Sequence, residues 1–327
     1  MQPPITDRSG YDDLVQASPQ GTIFTSRWWL EAVAPGSYRI LQVERGGQVQ
    51  AAWPIILRKR LGSRPIVTMA PLTPWLGILH RPTDEAKLST RLQREKELAD
   101  QLIDQLPSFA ALHLHFHRNF DNWLPLYWRG FSQTTRYTYV LADLTRSEKL
   151  WAGMRENIRR EIRKAERMGV EVESTVSSDE FWKVHVKTFQ RQEMEIPYDF
   201  SQVKRVDAAC ADRACRKIFI ARDGAGTVHA AAYIVWDEKS AYYLMGGGDP
   251  ALRTSGAASL VLWEAIRFAS TVTAAFDFEG SMLPGVERFF RAFGGEPKPY
   301  SAIHKVNSPV RIAYRAMREA FARLREG

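Results

Sequence analysis

The chain has 327 residues, of which 45% are hydrophobic and 25% charged. That balance fits a globular protein with room for two domains, and no apolar run approaches the ~20 residues of a membrane-spanning helix. A net charge of +8 points to an anionic partner: a nucleic acid, a phosphorylated cofactor or an anionic membrane face.

Residues 1–7 have no basic start followed by an apolar segment, so they do not read as a secretory signal. Thr25 or Ser26 caps a helix carrying Trp28, Trp29, Leu30 and Val33. Strands are expected at 38–44 and 49–57, joined tightly at Gly46-Gly47. The proline-bearing stretch 65–79 reads as a strand and loop. A polar helix at 85–106, a strand at 109–116, a short helix at 122–128 and a strand at 133–141 complete the first half. His113, His115 and His117 alternate onto one face, but no carboxylate or cysteine ligand is spaced with them, so no metal is expected. The tryptophans of this half read as core or interface residues.

One long helix is expected at 150–168, with Trp151, Met154, Ile158, Ile162 and Ala165 as its apolar stripe. Arg155, Arg159, Arg160, Arg163, Lys164 and Arg167 surround the stripe, offset by Glu156, Glu161 and Glu166. This is either a solvated face laced with i,i+4 pairs or a cationic face for a polyanion. Cys210 and Cys215 have neither a zinc spacing nor that of a disulfide framework, which fits a reducing, cytoplasmic setting. A hairpin follows at 217–222 and 228–236. After it come a strand at 241–245, a helix at 256–269, a strand at 273–278, a short helix at 285–293 and a strand at 299–305. Both halves thus run hairpin, strand, helix, strand, short helix, strand. Two copies of one α/β fold are expected, over residues 1–145 and 146–327. The tail at 310–324 is an amphipathic helix that either docks on the second domain or makes peripheral membrane contact.

Two stretches of the second half carry the candidate chemistry. Strand alternation puts Asp277 and Glu279 on one face, with Phe276 and Phe278 on the other. Two carboxylates together are costly unless paired or in use, and Arg288 is the candidate partner. The second stretch runs from Tyr243 through Gly246 and Gly247 to Arg253, Gly256, Ala257 and Ala258. A strand enters a glycine-rich turn and then a helix start, where backbone N–H groups and the helix dipole suit an anion. The spacing Arg-x-x-Gly-x-Ala matches neither the Rossmann nor the Walker pattern.

That turn resembles the pyrophosphate-binding turn of the GNAT N-acyltransferases. The longer pattern is similar to the FemAB-like acetyltransferase branch of that superfamily: IRREIRKAERMGV (158–170), AYYLMGGG (241–248), RTSGAASLVLWEAI (253–266), FDFEGS (276–281), VERFFRAFGG (286–295) and the closing HK (304–305). PLTPWLG (71–77) and GF (130–131) look similar too. The resemblance implies two tandem GNAT-like domains with mixed central sheets flanked by helices. The second would hold the donor, and the cleft between them the acceptor. It implies acyl-CoA, acetyl-CoA first, as co-substrate, bound by Gly246, Gly247, Arg253, Gly256, Ala257 and Ala258.

From the residue types, Asp277 or Glu279 takes a proton from an acceptor amine, and Tyr243 or Tyr300 protonates the leaving thiolate. The resemblance places Lys305 near the reacting centre as an oxyanion cation. Ser281, Arg288 and Tyr300 are the remaining candidates on the substrate side. The acceptor amine belongs to a small molecule or a precursor. Some members of the family use aminoacyl-tRNA instead, to extend a cell-wall precursor. Those tend to carry a lysine just after the first Trp-bearing helix, where this chain has Glu31. The intact turn therefore leans toward acyl-CoA, with tRNA as the alternative partner and DNA not expected. A non-catalytic RNA-binding or scaffold protein is a further alternative, against which Asp277, Glu279 and Lys305 argue.

Overall fold

The computed structural model describes residues 10–60, 63–83, 87–280 and 282–307. Ser281 and the expected tail helix at 310–324 lie outside the described residues. The chain divides into two compact units, residues 1–135 with 300–327, and residues 136–299.

The first unit opens with helices α1 (Gly10–Ala17) and α2 (Arg27–Val33). Strands β1 (Tyr38–Arg45) and β2 (Gln48–Arg60) form the expected hairpin, turned where Gly46 and Gly47 both take positive φ. Strand β3 (Ser63–Thr68) and the short β4 (Leu79–His80) both pair with β2. Helix α3 (Leu88–Asp104) crosses over to β5 (Ala111–His115), parallel to β3, and α4 (Leu124–Trp128) follows. Trp29, Trp53 and Trp75 are fully buried, as core residues should be.

Strand β6 (Ser132–Leu141) leads into the second unit. Helices α5 (Ser147–Gly153) and α6 (Glu156–Arg167) come next, then strand β7 (Glu171–Thr175) and helices α7 (Ser178–Arg191) and α8 (Phe200–Ala211). Strands β8 (Arg216–Arg222), β9 (Val228–Trp236) and β10 (Ala241–Gly248) form a meander. A 3-10 turn (Pro250–Ser255) and helix α9 (Ala257–Ala269) connect β10 to β11 (Phe276–Asp277). Helix α10 (Pro284–Ala292) and strand β12 (Glu296–Val306) are the last elements among the described residues. In this unit the strand order is β6-β11-β10-β9-β8-β7. Every pairing is antiparallel except β10 with β11. The strands of each unit are therefore of mixed direction, with one parallel pair each among the described residues, β3 with β5 and β10 with β11.

The repeated element order read from the sequence is present, with one exchange. β6 follows α4 in the chain, yet Val140 and Leu141 pair with β11. β12 follows α10, yet Ala302 to Val306 pair with β5. Each half's closing strand completes the sheet of the other half. This is why the compact units do not divide at 145/146, and why residues from Tyr300 onward pack with the first unit.

Two elements differ from expectation. The helix expected at 150–168 is broken, because Met154 and Arg155 are extended. Gly153 is a weak helix former, and the break frees the Arg155 N–H to bond the Ala292 carbonyl at 2.9 Å. The stripe of α6 is buried as read, through Ile158, Ile162 and Ala165. The strand expected at 273–278 shrinks to Phe276–Asp277, so Asp277 and Glu279 do not share a strand face. Glu279 takes φ +57° and Gly280 φ +64°, which turns the chain out of the strand.

Candidate active site

The site of the second unit begins where two parallel strands part. β10 and β11 pair only at Ala241 with Phe276 and at Tyr242 with Asp277. Beyond that point β10 follows β9, its register shifted between Tyr243 and Met245 in the manner of a β-bulge. The other branch follows β6, with the Phe278 N–H donating to the Tyr139 carbonyl at 2.9 Å.

A cleft of about 650 Å³ adjoins the parted stretch of β10, lined by Tyr243, Gly246, Gly247, Gly248, Arg253, Ala257, Ala258, Val286 and Phe289, among others. That volume lies in the range of small-molecule sites. Five of the six residues expected to bind a donor thus line one cavity. Small residues are required at its wall. A Cβ on Gly246 would lie 1.6 Å from the Tyr243 hydroxyl, and one on Gly247 would lie 2.8 Å from the His185 backbone.

The sixth residue, Gly256, is not in the lining. It caps α9 at φ +83°, and a Cβ there would lie 2.1 Å from the Glu161 carbonyl oxygen of α6. Its role is to let α6 seat against the turn. Lys164 of α6 also donates to the Thr254 carbonyl, and the Ser255 hydroxyl accepts the Ala257 N–H at 3.3 Å. The exposed Ala258 and Arg253 then present the start of α9, with its dipole, to the cleft.

The two carboxylates have different surroundings. Asp277 is fully buried. Its Oδ1 accepts the Thr138 hydroxyl and the Glu279 N–H, the latter at 2.8 Å. It ties the turn to β6. Glu279 is only half-buried as a residue, yet its Oε1 is sealed from solvent and has no hydrogen-bond partner among the described residues. Burial, and then the Asp277 charge, hold the Glu279 pKa well above the ordinary carboxylate value. Gly280 is needed behind it, since a Cβ there would lie 2.2 Å from the Tyr137 carbonyl oxygen.

Tyr243 lines the cleft and meets Phe290 edge-on at 5.8 Å. Burial raises the pKa of its phenol, so it keeps its proton at neutral pH. Arg288 is exposed and forms no ion pair among the described residues, so it is not the partner of Asp277 or Glu279. Tyr300 and Lys305 belong to the first unit. There Tyr300 packs against Trp75 and His115, and Lys305 donates to the Arg129 carbonyl at 2.8 Å over the Phe131 ring.

Sequence reading passed over residues 171–209, and these contain a site component. His185 of α7 approaches the Gly246 carbonyl with Nδ1 at 2.7 Å and the Tyr198 hydroxyl with Nε2 at 2.9 Å. A carbonyl only accepts, so Nδ1 carries the proton and Nε2 accepts from Tyr198. Burial lowers the His185 pKa and keeps the ring neutral. The available signal was Phe181, His185 and Phe189 at helical spacing, a polar ring on an aromatic stripe.

On α6, Arg159 and Arg163 both pair with Glu156, at 2.7 and 3.2 Å. Arg155, Arg160 and Arg167 are exposed. Among the described residues no cluster of His, Cys, Asp and Glu is arranged to hold a metal, and no helix is long and apolar enough to cross a membrane.

Residues 152–291 match the family model for the acetyltransferase (GNAT) domain. Among solved structures the chain is similar to FemX at 14% identity and a TM-score of 0.66, over 90% of this chain and 96% of that one. It is also similar to the C-terminal domain assigned to a lysylphosphatidylglycerol synthetase of Agrobacterium fabrum, at 14% identity and a TM-score of 0.54, over 94% and 95%. L-PGS from Bacillus licheniformis follows at 10% identity and a TM-score of 0.53, over 94% of each chain. At these identities the likeness is one of fold. No curated protein matches the chain in sequence.

Proposed function

We propose that the chain, whose residues 152–291 match the family model for the acetyltransferase (GNAT) domain, transfers an acyl group, acetyl first, from acyl-CoA to the amine of an acceptor. The observation that carries this reading is the cleft where β10 leaves β11, with the start of α9 at its wall. The residues present fit such a donor. Arg253 and the first amides of α9 suit a diphosphate, Ala257 and Ala258 leave it room, and the glycines of β10 admit a slender arm. Bound there, acyl-CoA supplies an activated thioester carbonyl.

Glu279 is the proton acceptor in this reading. An ammonium beside it favours the ionised carboxylate. The buried site favours the neutral carboxyl, so the proton passes from nitrogen to Glu279 and leaves a nucleophilic amine. Asp277 holds the turn that aims Glu279. Tyr243, with its proton retained, supplies that proton to the departing sulfur. Acetyl-CoA with two small nucleophiles tests the role of Glu279. Ethanolamine is protonated at neutral pH, whereas hydroxylamine is already neutral. Glu279→Gln should lose CoA release with ethanolamine by about 100-fold and much less with hydroxylamine. Equal losses with both would remove Glu279 from this role.

A second reading is aminoacyl-tRNA as donor, with a cell-wall precursor or a lipid as acceptor. The exposed Arg155, just before α6, and Arg160 and Arg167 on it favour this reading, as does the likeness to FemX and L-PGS. Retention of tRNA that falls steeply with salt would support it.

A further inference from the structure

An ammonium that ends as an amide gives up two protons, and Glu279 accepts one. The second leaves as the nitrogen bonds the acyl carbon, and nothing in the reading above takes it. The His185–Tyr198 pair is built for that step. His185 is nine-tenths buried or more and spans from the Gly246 carbonyl to the Tyr198 hydroxyl. The Gly246 carbonyl fixes the tautomer, so Nε2 is free to take a proton and the resulting imidazolium keeps its bond to Gly246. Backbone atoms of His185 lie 2.8 Å from where a Cβ of Gly247 would be, so α7 is seated on the stretch of β10 that lines the cleft. Burial, and then the Glu279 charge, raise the Tyr198 pKa, so the phenol keeps its proton until the step that passes it to His185. Tyr198 is half-exposed, which leaves it open to an incoming group.

We propose that Tyr198 is a catalytic residue that takes the second amine proton while passing its own to His185, which is its positioning partner. This rests on the acyl-transfer reading and adds a second proton path to it. As the C–N bond forms, the N–H bond breaks toward the Tyr198 oxygen, and the Tyr198 O–H bond breaks toward His185 Nε2. The C–S bond breaks with its electron pair on sulfur, which takes the Tyr243 proton. Of the two protons then held by Glu279 and His185, one returns to Tyr243 through water and the other goes to solvent. Atoms and charge balance without a further reactant.

Tyr198→Phe and His185→Gln test the relay, with acetyl-CoA as donor, ethanolamine and hydroxylamine as nucleophiles, and CoA release as the signal. Both nucleophiles must shed this second proton, so kcat should fall about 100-fold with each. Acetyl-CoA affinity by calorimetry should stay at the wild-type value. Wild-type kcat in Tyr198→Phe overturns the proposal. So does a loss of rate matched by an equal loss of acetyl-CoA affinity, which would make the pair a packing element. A wild-type protein that releases no CoA with either nucleophile overturns the acyl-transfer reading on which the relay rests, and does so before any variant is compared.

Discussion

The carbonyl oxygen of Glu161 occupies the space that a side chain on Gly256 would need, 2.1 Å from the Cβ position. Backbone, unlike a flexible side chain, cannot yield there cheaply, and φ at Gly256 is +83° as well. Gly256→Ala should therefore cost about 1–3 kcal/mol of stability, the scale of core overpacking, read as a lower denaturation midpoint. Loss of donor binding in a bulkier variant at this position would report displacement of α6, not a blocked cleft. Wild-type stability in Gly256→Ala would contradict the close approach.

Glu279 is strained, and its carboxyl oxygen Oε1 is buried without a partner. Its proton is held more tightly in the folded state than in the unfolded one, because burial and then the Asp277 charge penalise ionisation. Its contribution to stability is thus fully present below the ordinary value of 4.5 and is lost as pH rises through the folded pKa. Glu279→Gln removes this loss. Denaturation midpoints should show the variant gaining on wild type as pH rises from the acid range to neutral, even as turnover falls. Parallel stability profiles would contradict the account of its burial.

Asp277 serves structure first. Thr138→Val removes one of its donors and leaves a buried carboxylate short of a hydrogen bond, which should cost about 1–3 kcal/mol. The turn at Glu279 depends on the same carboxylate, so activity should fall along with the melting temperature. A variant that melts as wild type does would show that Thr138 is not needed to hold Asp277.

The arginines of α6 separate the two donor readings. Arg155, Arg160 and Arg167 are exposed and lie outside the cleft lining. Replacing all three by Gln should leave acetyl-CoA-dependent turnover unchanged and weaken any tRNA retention, flattening its salt dependence. Loss of acetyl-CoA turnover in the triple variant would contradict the placement of the donor on α9.

The strand–turn–helix from Tyr243 to Ala258 was legible because it is local: glycines, small residues and an arginine at fixed spacing suffice to describe a helix start open to an anion. The repeat was legible as an order of elements. What the sequence hid is non-local. The exchange of β6 and β12 depends on which sheet edge each strand finds, and chain order does not encode it. Alternation placed Glu279 beside Asp277, but Glu279 takes a positive φ and is followed by Gly280, packed tightly on β6. Gly256 was read as room for a ligand, whereas the group it makes room for is the chain's own α6. His185 and Tyr198 are thirteen residues apart, on and after α7, and only the fold brings His185 to Gly246 and Tyr198 to His185.

The central claim is that the start of α9 and the glycines of β10 bind an acyl-CoA donor. Calorimetric titration of acetyl-CoA into wild type and Ala258→Glu tests it most directly. Ala258 is exposed in the cleft wall, so the substitution places a carboxylate where the diphosphate would lie without disturbing the packing beneath. Saturable binding to wild type, weakened about ten-fold or more in Ala258→Glu, corresponding to at least ~1.4 kcal/mol, is the expected result. Equal affinity in the two proteins, or no binding to wild type at low and moderate salt, would contradict it.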